Sequence, residues 1–397
     1  MAAVGAMAAL QGGLAPTAVA EDVQSQQWYL DGMQIEKIWK VSTGKGVKVA
    51  VVDTGVDPTT QSLRGQVLPG KDISGAPGDE TKDDVGHGTT MAELIAGTGR
   101  DGTLKGMAPD AKIVPIRTTL RGIKGIDKSL NRHADAIRAA ADSDARIINM
   151  SWGTSTDGPM KRALDYAVSK GKLLIAAMGN DRQEANTNGL GYPAAHPNVA
   201  AIASYGKNLK VSDFSSSGRA TTFAAPGQEL PGWCDGQRER YCSNIEGTSS
   251  ASAIASGAAA LVWAKHPTWT ANQVLRVLIE TAGRKDGKKD TVSKYIGNGA
   301  IRPRMNLLEG KGKPGDPDIS PLTGKKTGNT APGPKSPGDK GSGKKGSAED
   351  DAPDKVKVAD SKSEDGGSSQ LLPILGVGAG VLILAGCGFA VVRSRRN

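Results

Sequence analysis

The chain has 397 residues, of which 23% are charged, and its formal net charge is +9. This length allows more than one domain. The basic residues are spread without long runs, so the composition indicates a mildly basic surface and argues against a dedicated nucleic-acid groove.

The first twenty residues have features of an export signal. Residues 2–15 are small and apolar, and Ala18-Val19-Ala20 has the small-x-small pattern of a signal-peptidase site. The basic segment that usually opens such a signal is missing, so either the natural start lies upstream of Met1 or the signal is weak. The alternative is an unstructured Ala/Gly terminus. We predict a signal peptide-like segment over residues 1–20.

Residues 21–310 are predicted to form one α/β domain. Two segments, 130–142 and 160–170, have apolar residues near helical spacing. They interleave with short β-branched apolar runs, which predicts a doubly wound, mostly parallel sheet with helices on both faces. The apolar runs lie at residues 48–56, 111–118, 145–153, 172–180 and 199–204.

Three polar residues stand where apolar runs end: Asp53, Ser151 and Asn180. The carboxyl ends of parallel strands meet at one edge of a sheet, and active groups collect there. We therefore expect these three side chains to lie on the same edge.

A serine in a small-residue segment is the candidate nucleophile. Ser249 lies in GTSSASA, residues 247–253, where a helix is expected to begin. A serine hydroxyl is a poor nucleophile until a base takes its proton and donors stabilise the developing oxyanion. Without those partners, Ser249 would be one hydroxyl among many in a helix of small residues.

The choice of a base is narrow because the chain has four histidines. His87 stands in DVGHGTTMAELIAG, where glycines on both sides allow other backbone to approach and a helical run follows. His133 lies in a polar helical stretch, and His196 and His266 each precede a proline. For these three we expect solvated or structural roles.

Two further residues complete a catalytic hypothesis. A buried carboxylate can hold the Nδ1–H of a general base, and Asp53 suits this role; the alternative is a carboxylate that accepts hydrogen bonds from its own turn. Asn180, in AAMGN, can offer an amide NH₂ beside the backbone N–H of Ser249 to an oxyanion. The alternative for Asn180 is turn formation.

The spacing of two cysteines is consistent with export from the cytoplasm. Cys234 and Cys242 lie in the loop PGWCDGQRERYCSN, close enough to close a short disulfide in an oxidising compartment. A zinc half-site is the alternative, although no second Cys or His pair stands nearby. The third cysteine, Cys387, falls in the apolar segment described next.

The C-terminal part changes character twice. Residues 311–370 are rich in Pro, Gly and Lys and nearly free of large apolar residues, which predicts a disordered linker. Residues 371–392 carry no charge over a length that can cross a bilayer, so we predict a transmembrane helix; a buried core helix is the alternative. The basic tail, 393–397, is then expected in the cytoplasm and the rest of the chain outside.

Taken together, these motifs resemble those of the subtilisin-like serine peptidases. The resemblance covers nearly all of residues 45–283 and rests on VVDTGV at Asp53, GHGT at His87, AAMGN at Asn180 and GTS at Ser249. The order Asp, His, Ser is the one known for subtilisin. The sequence departs from the family pattern at two positions: Ser250, where a bulky residue is usual, and Ala253, where proline is common.

A narrower resemblance is to the mycosins, membrane-anchored subtilisin-like proteases associated with type VII secretion. The chain has their order of signal, catalytic domain, linker, span and basic tail. The short stretch between residues 20 and 44 lacks room for a separate prodomain, so we expect a strand or arm packed on the catalytic domain.

The resemblance implies a serine endopeptidase anchored in the cell membrane, with its catalytic domain outside. Protein or peptide substrates would pair with Ser151, Trp152 and Gly153 as an added strand, and Trp152 would either narrow a subsite or serve packing. The alternative function is a structural subunit of a type VII secretion membrane complex, with cleavage secondary or absent; a third is a general degradative protease. We predict no cofactor, and the sequence assigns no site to the structural calcium that many such folds hold.

Overall fold

The centre of the fold is a parallel sheet, as the apolar runs predict. The computed structural model describes residues 23–120, 122–125, 132–155, 158–181, 184–185, 191–284 and 292–327. Within these ranges the main sheet has seven strands, and every neighbouring pair is parallel. Their spatial order is β2 (Lys71–Asp72), β3 (Lys112–Arg117), β1 (Lys48–Asp53), β4 (Ile147–Met150), β5 (Leu173–Ala177), β7 (Ala200–Tyr205) and β9 (Thr221–Pro226).

Both faces of the sheet are buried, which explains why its strands are continuously apolar rather than alternating. In β1, Val49 and Val51 join the core on one face, whereas Ala50 and Val52 join the core on the other. The first face packs against α3 (His87–Ala96) and α6 (Thr248–Lys265), and the second against α4 (His133–Asp142) and α5 (Gly158–Ser169). The predicted doubly wound α/β architecture is therefore confirmed.

Small side chains let α6 run through the core. Its sequence, TSSASAIASGAAALVWAK, is buried from Ser250 to Trp263. A Cβ atom at Gly257 would lie 2.5 Å from the Cβ of Met107, so only glycine allows this approach. Ala253, 0% exposed, occupies the helix without interrupting it, so the absence of the common proline leaves α6 intact.

The N-terminal segment is an arm of two short helices, α1 (Trp28–Gly32) and α2 (Ile35–Trp39), rather than a strand. Tyr29 and Ile38 are buried in the core beside α6. Beyond α2, the Ser42 hydroxyl donates a hydrogen bond of 2.6 Å to the Leu261 carbonyl. The arm therefore packs on the catalytic domain as expected, but its apolar residues follow a helical period.

A short antiparallel hairpin carries the predicted disulfide. Its strands are β10 (Leu230–Trp233) and β11 (Tyr241–Ile245), and Cys234 is bonded to Cys242. The prediction of a disulfide is thus confirmed over the zinc alternative. The remaining short elements are β6 (Glu184–Ala185), which pairs with β8 (Ser217–Gly218), a 3₁₀ turn at Arg100–Gly102, α7 (Ala271–Thr281) and α8 (Arg304–Leu307).

Residues 311–327 pack on the domain, so the start of the predicted linker needs correction. The Arg276 guanidinium of α7 donates to the carbonyls of Pro314, Asp316 and Ile319. Thr270, whose side chain also caps α7, donates to the carbonyl of Pro317. These donors replace water at the backbone of the segment, a contribution that composition does not reveal. Leu322 of the segment also packs against the core. We call residues 311–327 the C-terminal strap.

Several predictions of the sequence analysis fall outside the described residues. These are the signal peptide-like segment, the rest of the linker, the span at 371–392 with Cys387, and the basic tail. Among the helices that the structure does describe, none combines the length and the apolar character needed to cross a bilayer. The described residues all belong to one compact unit.

We predict that Arg276→Ala releases the C-terminal strap. Three backbone carbonyls lose a charged donor, which costs on the order of 2 kcal/mol of local stability. Limited thermolysin digestion followed by mass spectrometry should then find faster cleavage within residues 311–327. Lys313→Ala is the matched control, because this exposed side chain lies in the strap itself. Equal cleavage rates in both variants would show that Arg276 does not hold the segment.

Candidate active site

The structure brings Asp53 and His87 into direct contact. The Nδ1 atom of His87 lies 2.7 Å from Oδ1 of Asp53. Asp53 ends β1 and is 0% exposed, whereas His87 opens α3 and keeps 20% of its side chain exposed. In a neutral imidazole whose Nδ1–H donates to the carboxylate, the lone pair is on Nε2. This is the arrangement of a general base with an orienting acid.

The two glycines beside His87 are required by close backbone contacts. A Cβ at Gly88 would lie 2.1 Å from the Gly55 carbonyl oxygen and 3.0 Å from the Cβ of Asp53. Gly86 has φ of +83°, a left-handed conformation that glycine adopts without strain. The motif GHGT therefore predicts the tight approach of β1 and α3 that joins Asp53 to His87.

The charges around His87 raise its pKa above the ordinary value for histidine. Burial lowers this pKa, but the charge of Asp53, its hydrogen bond and the charge of Asp83 raise it by more. The protonated imidazole, which forms when the base has accepted a proton, is thus stabilised in the folded protein.

Asp83 is a functional candidate that the sequence analysis missed. Its carboxylate is buried and accepts five hydrogen bonds, from Thr54 Oγ1, Val85 N, Gly86 N, Thr89 N and Thr89 Oγ1. It therefore ties the end of β1 to the loop before His87 and to the first turn of α3. The sequence feature that could have indicated this role is an acidic residue four positions before His87, in a segment that leads into a buried helix.

Ser249 lies in the first turn of α6, at the carboxyl edge of the sheet. Its hydroxyl donates to the carbonyl of Ser151 at 2.8 Å, just beyond the end of β4. Strands β1 and β4 are neighbours, and their register, with Val51 opposite Asn149, brings the ends of the two strands side by side. Among the described residues no hydrogen bond joins Ser249 to His87; such bonds often form only in the complex with substrate.

Asn180 and the Ser249 backbone share a donor site. The Asn180 Oδ1 atom accepts from the backbone N–H and the hydroxyl of Thr248, both at 2.9 Å, so its NH₂ group remains as a donor. A Cβ at Gly247 would lie 3.4 Å from Asn180 Nδ2 and 3.6 Å from Ser249 N. Both nitrogens therefore border the same small space beside Ser249, as an oxyanion hole requires.

A buried polar network lies beneath Ser249. The Ser151 hydroxyl, which is 2% exposed, accepts from Asn149 at 2.8 Å and contacts the Ser252 hydroxyl at 2.9 Å. Ser252 donates to the Ser249 carbonyl, and Ser256 donates to Asn149. The side chain of Ser151 thus joins β4 to α6, whereas its backbone faces the site.

Trp152 and Gly153, two of the predicted substrate-binding residues, differ in their burial. The Trp152 ring is 6% exposed, donates to the Val52 carbonyl at 2.8 Å and packs on His133 with ring centres 4.6 Å apart. This favours packing over the narrowing of a subsite. Gly153 is exposed, and the next residue, Thr154, pairs with Tyr192 through two backbone hydrogen bonds.

The other histidines have structural contacts. His196 pairs with Asp165 at 3.1 Å, and His266 donates from Nε2 to Oδ1 of Asn306 and stacks on Trp269. Within the described part of the chain, no group of three or more His, Cys, Asp and Glu residues is arranged to hold a metal ion.

This geometry agrees with the comparisons with known proteins. The subtilase family model matches residues 44–299. Subtilisin E of Bacillus subtilis is 33% identical over 253 residues, which cover 60% of this chain and 61% of that protein. The crystal structure of MycP1 from Mycobacterium smegmatis is 30% identical, has a TM-score of 0.59 and covers 70% of this chain and 84% of its own. MycP3 protease from the type VII (ESX-3) secretion system, also 30% identical, has a TM-score of 0.59, with 72% and 88% covered.

The chain therefore belongs to the subtilase family of serine peptidases. Its matched part spans about three fifths of the length of Subtilisin E. The solved mycosin structures are matched over more than four fifths of their length, so the resemblance to mycosins extends to the folded domain as a whole.

We predict that Asp53→Asn lowers the pKa of His87, because the neighbouring negative charge that favours the imidazolium is removed. Histidine NMR titration in a Ser249→Ala background measures this pKa without self-cleavage. The matched control is Asp165→Asn, which removes the partner of His196. It should lower the pKa of His196 and leave that of His87 in place. A His87 pKa that is equal in both variants would contradict the assigned pair.

Proposed function

We propose that this protein is a serine endopeptidase that uses Ser249, His87 and Asp53. The observation that carries the proposal is the 2.7 Å contact of His87 with the buried Asp53, one strand away from a serine at the start of α6. Membership of the subtilase family supports the same reaction. A catalytic triad is recognised by geometry and roles, and each role has a residue here.

The reaction begins when the Ser249 hydroxyl leaves the Ser151 carbonyl and turns to His87. Its oxygen bonds to the carbonyl carbon of the substrate while its proton passes to Nε2 of His87. Asp53 stabilises the imidazolium, and the NH₂ of Asn180 with the N–H of Ser249 stabilises the oxyanion. The C–N bond then breaks as His87 protonates the leaving amine, and water hydrolyses the acyl-enzyme by the same steps.

Substrate is proposed to pair as an extended strand with the backbone of residues 151–153. The Ser151 carbonyl accepts the Ser249 hydroxyl in the present structure. A substrate N–H that binds this carbonyl would compete with that hydroxyl and release it towards His87. Recognition through main-chain hydrogen bonds accepts many side chains, which suits an endopeptidase.

We further propose that the protein is anchored in the cell membrane and acts at a type VII secretion system. Residues 371–392 are uncharged and are followed by three arginines, which supports a single span with the catalytic domain outside the cell and the tail in the cytoplasm. The likeness to MycP1 and MycP3, whose structures are described as parts of type VII secretion systems, supports a role at such a system. We therefore retain a second candidate function, a structural subunit of such a complex.

We predict that Ser249→Ala abolishes covalent labelling by a fluorophosphonate probe and leaves the folding transition in place. Ser250→Ala is the matched control, because it removes the adjacent hydroxyl of the same helix turn and should keep the labelling. Gel fluorescence of the labelled protein measures both. Labelling that persists in Ser249→Ala would overturn the nucleophile assignment.

The labelling rate is expected to have an acidic limb. The general base must be neutral, and the pKa of His87 is raised, so the rate should fall as pH drops through a value above that of ordinary histidine. The direction is set by the base: protonation at low pH removes the acceptor for the Ser249 proton. A limb at or below the ordinary pKa of histidine would contradict the shift.

Secretion assays separate the two functions. A deletion strain is complemented with the Ser249→Ala gene, and strains that carry the intact gene or Ser250→Ala serve as controls. If the protein cleaves extracellular substrates, the Ser249→Ala strain should lack specific extracellular peptide termini that both controls produce. Full secretion together with unchanged termini would favour the structural subunit.

A further inference from the structure

The disulfide-closed hairpin β10–β11 lies along α3, the helix that carries His87. The Tyr241 hydroxyl donates to Glu93 at 2.9 Å, and the backbone N–H of Trp233 donates to the Thr90 hydroxyl at 3.2 Å. Glu93 is 0% exposed, and burial raises its pKa to about 7. The hairpin is thus joined to buried groups of α3 on the turns that follow His87.

The tip of the hairpin reaches the loop before His87. Arg238 donates from Nη1 to the Asp83 carbonyl at 2.6 Å, and its Nε and Nη2 lie 3.0 and 2.8 Å from Oδ2 of Asp57. Only 18% of the Arg238 side chain and 17% of that of Asp57 are exposed. The backbone φ of Arg238 is +56°, a left-handed conformation that a side-chain-bearing residue keeps only where other contacts offset its cost.

Backbone contacts make this arrangement tight. A Cβ at Gly86 would lie 2.6 Å from the Asp235 carbonyl oxygen, and one at Gly236 would lie 2.0 Å from the Asp84 carbonyl oxygen. The hairpin tip and the loop over residues 83–86 therefore touch main chain to main chain. A shift of the tip must move the loop.

Asp83 connects this contact to the site. The carbonyl of Asp83 accepts from Arg238, while its carboxylate accepts from Gly86 N, Thr89 N and the Thr54 hydroxyl. Thr54 follows Asp53 directly, and Gly86 precedes His87. Asp83 thus links the hairpin to the neighbours of both Asp53 and His87.

We propose that Arg238 is a positioning residue for His87, acting through Asp83 and Asp57. The guanidinium fixes the loop from outside, and the Asp83 carboxylate fixes α3 and the end of β1 from inside. The disulfide Cys234–Cys242 holds the tip that presents Arg238. This inference rests on the proposed peptidase function and adds to it a determinant outside the triad.

The experiment compares Arg238→Ala, Arg238→Lys and Arg240→Ala. Arg240 is an exposed arginine two residues along the same hairpin. Peptide hydrolysis should show kcat about tenfold lower in Arg238→Ala with KM little changed, since small displacements of a catalytic group slow the chemical step. Arg238→Lys should recover part of the rate, and Arg240→Ala should match the unaltered protein.

A spectroscopic measurement tests position without activity. In a Ser249→Ala background, the downfield proton resonance of the His87 Nδ1–H reports its hydrogen bond to Asp53. It should shift or broaden in Arg238→Ala, partly return in Arg238→Lys and remain in place in Arg240→Ala. If the unaltered protein hydrolyses no peptide, the proposed peptidase function is wrong. The shift of this resonance then tests by itself whether Arg238 positions His87.

Asp57→Asn provides a second route to the same contact. It removes the charge that Arg238 grips and should reproduce the effects of Arg238→Ala, so it decides the matter if that variant does not fold. An unchanged kcat together with an unmoved His87 resonance in either folded variant would overturn the proposal.

Discussion

The hydrogen bond between Asp53 and His87 joins the last residue of a central strand to the first residue of a helix. A carboxylate that is 0% exposed is costly to bury unless it is paired, so the fold must deliver its partner accurately. Gly88 allows the backbone of α3 to approach β1, and Asp83 holds the loop between them. The same contacts therefore stabilise the fold of this region and fix the geometry of the site.

The sheet supplies the remaining groups by its topology. Because β1, β4 and β5 are adjacent and parallel, their carboxyl ends place Asp53, Ser151 and the segment leading to Asn180 on one edge. The small residues of α6 let this helix cross beneath that edge and bring Ser249 to it. The polar network through Asn149 then joins strand and helix by buried hydrogen bonds beneath Ser249, the proposed nucleophile.

Segments outside the sheet stabilise the domain in different ways. The N-terminal arm contributes several apolar side chains to the core, whereas the C-terminal strap contributes Leu322 and is bound through its backbone by Arg276. The disulfide hairpin grips the loop before His87 through Arg238. None of these segments belongs to the main sheet, yet the last of them contacts Asp83, whose carboxylate binds the loop before His87.

Sequence alone determined the α/β architecture and predicted the four main candidate site residues. Continuous apolar runs predict strands buried on both faces, and motifs with glycines at close contacts predict Asp53, His87, Asn180 and Ser249. These signals are local: each depends on the residue types within a few positions, so they can be read along the chain. The disulfide was also predicted from the short spacing of its cysteines.

Tertiary structure alone decided the contacts between segments far apart in the chain. The strap was predicted to be disordered because residues 311–370 have few large apolar side chains, but Arg276 and Thr270 donate hydrogen bonds to its backbone and Leu322 packs on the core. The contacts of Asp83 and Arg238 likewise join residues up to 181 positions apart in the chain. Hydrogen bonds of this kind leave no periodic pattern in the sequence, because their geometry exists only after the sheet has brought the segments together.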